Sequence, residues 1–365
     1  GTNKSFRNIL HSFGIDENIV KVNFYGDNVD FELNDRHSIR TTKQKFVDFN
    51  HPDRFAGTVY QYAQGTDSVN YITGSTGNME KYIPITFETQ VILPNKIPWN
   101  EVYGFGTPFT KSVIAGMHEA NHITNYTIPS PDNCDIQLYT VRDELESKNV
   151  KFHLKSTALG IHLISDLYPN MYDNNEWLLA FRITNDKNPS VDSVAGSTTL
   201  NGGAATNYTI DFLGYNTEGT NVLNSFKLSS AVTAAKAQAF LTKSKRIYAG
   251  AKRTAFTGGL EESSDHRIGF VRYWMNHLSD TTLLQHSYDS SNYGAESPFR
   301  SAYLMENDVN DIKIPEIDTL ILNWDFETLS TSDSSGQFFV TDVTSGSGTQ
   351  RYAPAFENIK RKFYH

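Results

Sequence analysis

The chain has 365 residues, a formal net charge of −9, 42 Tyr and Phe side chains between them (19 and 23) and one Cys. Its length accommodates one large β-sandwich with extensions or two domains. The charge argues against a general binder of nucleic acid or anionic membrane, because neither surface attracts an acidic protein. A lone Cys134 excludes an internal disulfide, and no apolar run of about 18 residues is present to span a bilayer as a helix.

Residues 1–75 are polar and mixed, and are expected to form an arm or small subdomain. Within them, residues 5–13 suit a short helix, and residues 19–24 and 29–33 suit strands. Turn-forming clusters at 64–68 and 73–78 place a boundary near 75. From there to about residue 328 the pattern is short strands separated by turns. Residues 83–93 alternate apolar and polar, a period of two. Further strands are expected at 112–117, 135–141, 150–156, 177–183, 208–215, 246–250, 267–274 and 319–324.

Two helices interrupt the series. Residues 229–243 are Ala-rich with a Ser at the start, and residues 280–286 follow Ser279 as a cap. Many strands without regular intervening helices predict a sandwich or jelly roll. Residues 329–365 read as a C-terminal extension, Ser/Thr/Asp/Gly-rich around one apolar strand at 337–340. The basic end, residues 358–365, stops without a turn or cap, so the polypeptide is expected to continue beyond it.

The stretches Asp173-Asn174-Asn175-Glu176-Trp177-Leu178-Leu179-Ala180-Phe181-Arg182, Lys245-Arg246-Ile247-Tyr248-Ala249-Gly250 and Ile268-Gly269-Phe270-Val271-Arg272-Tyr273-Trp274 resemble the laminin-G-like, concanavalin-A-like jelly roll. The resemblance covers roughly residues 80–350. It implies an all-β sandwich in which Trp177 packs between two sheets. The blocks 288–294 and 339–347 are similar to domains of large virion structural proteins of tailed phages. That likeness implies a non-enzymatic particle component, located in the virion, whose partners are other virion proteins or copies of itself. The same fold family suggests an alternative, a lectin-like module for a host-surface glycan. Trp99, Tyr103, Tyr168, Tyr172 and Tyr293 are then the candidates for stacking on sugars. No cofactor is expected beyond a structural calcium, for which Asp173, Asn174, Asp265 and Asp289 could supply oxygens, although no loop has a fixed calcium spacing.

Two motifs offer enzymatic readings. His118-Glu119-Ala120-Asn121-His122 matches H-E-x-x-H, which binds Zn²⁺ only when a helix brings both imidazoles to one face. The preceding residues read as a strand, which opposes a zinc peptidase. Glu316-Ile317-Asp318 begins an alternating carboxylate row, as a two-carboxylate glycosidase would need, but Leu320 or Ile321 stands where the last acid belongs. Cys134 is flanked by acids that disfavour its thiolate. The basic run Lys243-Ser244-Lys245-Arg246, with Lys252-Arg253, reads as a solvated hairpin edge.

Overall fold

The computed structural model describes residues 45–61, 72, 83–95, 108–119, 134–145, 147–186, 207–219, 221–243, 245–254, 256, 258–289, 319–332 and 338–342. It also describes short pieces at 8–9, 12–13, 29–32 and 38–41. These residues form an all-β sandwich with two helices among them. In chain order the strands are β1 (Val29–Glu32), β2 (Ser38–Thr41), β3 (Val47–Asp48), β4 (Thr58–Tyr60), β5 (Ile85–Leu93), β6 (Lys111–Glu119), β7 (Ile136–Arg142), β8 (Val150–Ser156), β9 (Ile161–Ile164), β10 (Asn175–Asn185), β11 (Asn207–Glu218) and β12 (Asn221–Thr233). Helix α1 (Ala234–Thr242) follows. Then come β13 (Lys245–Gly250), β14 (Lys252–Arg253), β15 (Leu260–Glu262), β16 (Arg267–Trp274), helix α2 (Asp280–Tyr288), β17 (Leu320–Ser332) and β18 (Phe338–Asp342).

One sheet has eight strands, in the order β12-β11-β10-β5-β16-β17-β18, with β3 also paired to β16. The other has six, in the order β4-β13-β6-β7-β8-β9. The ladders are antiparallel, so each strand needs only alternation to present an apolar face inward. Trp177, Leu179, Phe181 and Ile183 of β10 face Phe152 and Leu154 of β8 across the core, all buried. The Trp177 and Phe152 rings lie 4.6 Å apart, so Trp177 does sit between the sheets.

Strand β10 is nearly apolar throughout because both its faces are covered. Leu178 and Ala180 point the other way, into a second core with Leu213, Phe270, Trp274 and Leu283 of α2. Helix α2 starts where the sequence places it: the Ser279 hydroxyl accepts from the Thr282 N–H at 3.0 Å. Gly250 takes φ +89 at the turn that ends β13, a conformation costly for any residue with a Cβ.

The first of the two helices differs from the expectation. The helix expected over 229–243 begins only at Ala234. Ser229 to Thr233 instead pair with Asp211 to Asn207 in β12, where Val232 is buried. Ladder bonding and core burial outweigh the helix propensity of an Ala-rich run. Thr233, not a Ser, precedes α1, and its side chain makes no cap bond.

Residues on both sides of position 75 contribute to the same sheets and core. β3 pairs with β16, β4 pairs with β13, Ile72 bridges Lys245, and Phe49 and Ile72 lie in the main core. At the other end β17 runs past residue 328 and pairs with β18, so that extension also contributes to the eight-stranded sheet. Residues 19–24 lie outside the described residues.

Candidate functional site

The first two residues of the H-E-x-x-H motif lie on a strand, not on a helix. His118 and Glu119 end strand β6. The His118 ring stacks on Tyr248 at 5.3 Å and meets Phe256 edge-on at 5.4 Å. His122 lies outside the described residues, as do Glu316 and Asp318. Cys134 is fully buried in the main core. Lys245, expected at a solvated hairpin edge, is buried. Its ammonium donates to the carbonyls of Leu241 at 3.1 Å and Lys243 at 2.8 Å, where it closes the C-terminus of α1.

The aromatic candidates separate. Tyr172 is 0 % exposed and cannot meet a sugar. Its hydroxyl lies 3.0 Å from the Thr140 hydroxyl and 3.1 Å from His266 Nε2 inside the fold. Tyr168 is half-buried, its ring against Trp177 at 4.9 Å and its hydroxyl donating to the Ser225 carbonyl at 3.1 Å. Trp99, Tyr103 and Tyr293 lie outside the described residues.

Among the calcium candidates, Asp173, Asn174 and Asp265 have polar partners within the fold. Asp173 pairs with Lys148 at 3.3 Å, Asn174 Oδ1 accepts from the Asn95 N–H at 3.3 Å, and Asp289 follows the last residue of α2. Asp265 is buried against Arg142. Among the described residues, no three His, Cys, Asp or Glu side chains are grouped to hold a metal ion.

Two polar clusters are enclosed by the fold. The first surrounds Asp265, which takes the Arg142 guanidinium and the Ser112 hydroxyl, the latter at 2.5 Å. Arg142 lies 4.0 Å above the Tyr172 ring. His266 donates from Nδ1 to the Val113 carbonyl at 3.1 Å, which leaves Nε2 to accept from Thr140 at 3.0 Å. Burial holds His266 below the ordinary histidine range, against the pull of Asp265.

The second cluster lies under α2. Glu88 accepts from Trp274 Nε1 at 2.9 Å, lies 2.8 Å from His286 Nδ1 and pairs with Arg272 at 3.4 Å. Burial would raise the Glu88 carboxyl, but His286, Arg272 and Trp274 together hold it below the usual carboxylate range. A carboxylate enclosed by so many fixed donors is well placed to hold strands and helix together. No such arrangement was legible from the sequence, because its members are up to 198 residues apart.

The accessible chemistry lies on one side of the sandwich. There the edge strands of both sheets, β9 and β12, lie over a ring cluster of Phe152, Tyr168, Trp177 and Phe226, of which Phe152 and Trp177 are fully buried. β12 is 13 residues long, whereas the edge strands β9 and β4 of the other sheet have 4 and 3. Phe226, Leu228 and Val232 turn inward, and Ser225, Lys227, Ser229 and Ala231 are exposed. Gly214 on β11 leaves room for the Phe226 ring, since a Cβ there would lie 2.2 Å from it.

The outward edge of β12 pairs with no other strand among the described residues. It contains no proline and one charge, Lys227, which pairs with Asp280 at 2.8 Å. Beside it Val222 and Leu223 are 42 and 52 % exposed, and near β9 Ile164 and Leu167 are 43 and 42 % exposed.

On the outer face of the six-stranded sheet, next to β9, stands a cluster of rings. Tyr139 stacks on His153 at 4.9 Å, and the Lys111 ammonium lies 4.1 Å above Tyr139. His162 Nε2 is 2.9 Å from the Tyr139 hydroxyl and 3.0 Å from His153 Nδ1. Glu262 of β15 accepts from Lys111 and Gln137. Burial first, then His162, Lys111 and Lys151, push the His153 imidazole down to about 4. Burial and the Glu262 charge push the Tyr139 phenol up to about 12.

No family model matches the chain, and no curated protein matches it in sequence. Among solved structures, it is similar to the enzymatically active domain of tailspike protein 2 of bacteriophage CBA120. The identity is 13 %, the TM-score 0.31, and the match covers 64 % of this chain and 30 % of that one. It is also similar to the CBM40 of Ruminococcus gnavus IT-sialidase (10 %, TM-score 0.27, 57 % and 84 % covered) and to Scytalido-glutamic peptidase (7 %, TM-score 0.27, 53 % and 72 % covered). The chain thus spans less than a third of the tailspike domain. The fold is defined by the two antiparallel sheets themselves.

Proposed function

We propose that this chain is a non-enzymatic assembly module of a phage particle that docks on a neighbouring protein through the open edge of β12. The 13-residue edge carries this reading. An unpaired edge of that length presents a row of backbone donors and acceptors, and folded proteins usually shorten, bend, charge or cover such edges. Here the strand is long and joined by exposed Val222, Leu223, Ile164 and Leu167, a surface suited to strand addition with apolar anchoring. The sequence likeness of residues 288–294 and 339–347 to virion structural proteins supports the particle context.

The occupant we favour is an extended segment of a different protein. Lys227 is the middle residue of β12, so a symmetric antiparallel pairing of two copies would set two ammonium groups against each other. The test is photo-crosslinking in assembled particles, with the photoreactive residue at Ser225 or Ser229 and controls at Lys148 and Asp173. One partner of fixed identity captured from the β12 positions, and lost with Leu223→Lys, is the expected result. Cross-linking from the controls alone, or only to another copy of this chain, would overturn it.

A further inference from the structure

We infer that Lys155 and His162, facing each other across β8 and β9, form a recognition spot for a single oxyanion group: a carboxylate, sulfate or phosphate. This does not rest on the assembly reading, because its two donors lie on β8 and β9 and not on the β12 edge, although Ile164 borders both surfaces.

The argument begins with hydrogen-bond roles. Tyr139 keeps its proton at neutral pH, so its hydroxyl can donate to His162 Nε2, 2.9 Å away. His162 Nε2 is then an acceptor, and the 3.0 Å contact from His153 Nδ1 needs the donor on His153. His153 Nε2 is left as a bare lone pair, buried and without a partner. The other tautomer would bury an unpaired N–H there, the costlier arrangement. Tyr139 and His153 are then the two donors, and the single Nε2 lone pair of His162 is shared between them. The consequence is a fixed tautomer: His162, itself exposed, carries its proton on Nδ1, away from the cluster.

The charge around that proton is positive. Lys155 is the direct cross-strand partner of His162, a spacing at which side chains on one face meet. Lys151, His153 and Lys155 alternate along the outer face of β8, and both lysines are exposed. Neither lysine has an ion-pair partner among the described residues, in a chain of net charge −9. The nearby Glu262 is held by Lys111 and Gln137. Lys155 and Lys111 also act, after burial, to lower the His162 imidazole. An oriented N–H donor beside an unopposed ammonium is the donor set an oxyanion needs. Exposed Ile164, opposite His153 in the ladder, offers an apolar contact for the rest of the ligand.

Imidazole and amide NMR on the whole chain, titrated separately with sodium sulfate, phosphate and glucuronate, tests the spot. The expected result is saturable shifts centred on Lys155 and His162 for at least one anion. Lys155→Ala and His162→Ala should each weaken binding about tenfold. Tyr139→Phe, which keeps both contact residues, should weaken it less and move the ¹⁵N shifts of His162 towards a mixture of tautomers. The strongest of the three anions identifies the ligand's acidic group. Shifts spread over the surface lysines, or affinity unchanged by His162→Ala in a folded variant, would overturn the proposal.

Discussion

The two polar regions of this sandwich are finished in opposite ways. Around Asp265 and Glu88, ionised groups are enclosed and answered by donors from strands and helix distant in sequence. Around β8, β9 and β12, backbone edge groups, Lys151, Lys155 and four aliphatic side chains face solvent. Enclosed charges are costly unless each is matched, so the first arrangement suits a part that must not move. Exposed unmatched groups cost little until something binds them, so the second suits a surface that waits for a partner.

The contrast is broken most directly at Asp265. Asp265→Ala leaves Arg142 buried without its anion and is expected to destabilise the fold by about 3–5 kcal/mol, read from the midpoint of urea unfolding. A loss no larger than that of a surface substitution would mean that the cluster does not hold the sheets. Acid sharpens the picture. Between about pH 6.5 and about 4 the unfolded chain protonates His153 while the native state keeps it neutral, so stability should decline across that window. The buried His266 acts in the same direction. Glu88 adds a later step. Its contribution is fully present above the unfolded carboxylate value of about 4.3 and is lost as pH falls through its lower folded value. Denaturant midpoints measured from pH 8 to 3 should slope gently and then drop; His153→Gln should flatten the first part. The smallest effect belongs to the open side. Leu223→Lys should change stability by no more than about 0.5 kcal/mol, since that side chain is 52 % exposed, and yet remove the cross-linked partner.

Much of the fold was legible locally. The strands at 150–156 and 267–274 coincide with β8 and β16, because alternation and β-branched or aromatic content agree there. The Ser279 cap was legible for the same reason, since its bond partner is three residues away. β12 was misread although Phe226, Leu228 and Val232 keep a period of two. The Ala run that follows carries a stronger helical signal than those residues carry for a strand, and only pairing with β11 decides between them. Tyr172, a candidate for stacking on sugars, is instead buried by contact with Arg142, Thr140 and His266. Neither the His153–His162 pair nor the Glu88 cluster announced itself, since each exists only through strand register or through a helix laid on a sheet.

By itself, then, the amino-acid order determined that this chain makes antiparallel strands with inward apolar residues, because that pattern repeats every second position and needs no distant information. Tertiary structure alone decided which strands became edges, which ionisable groups were enclosed and which were left to solvent. Those outcomes depend on the register and stacking of residues far apart in the chain, and no local stretch encodes them.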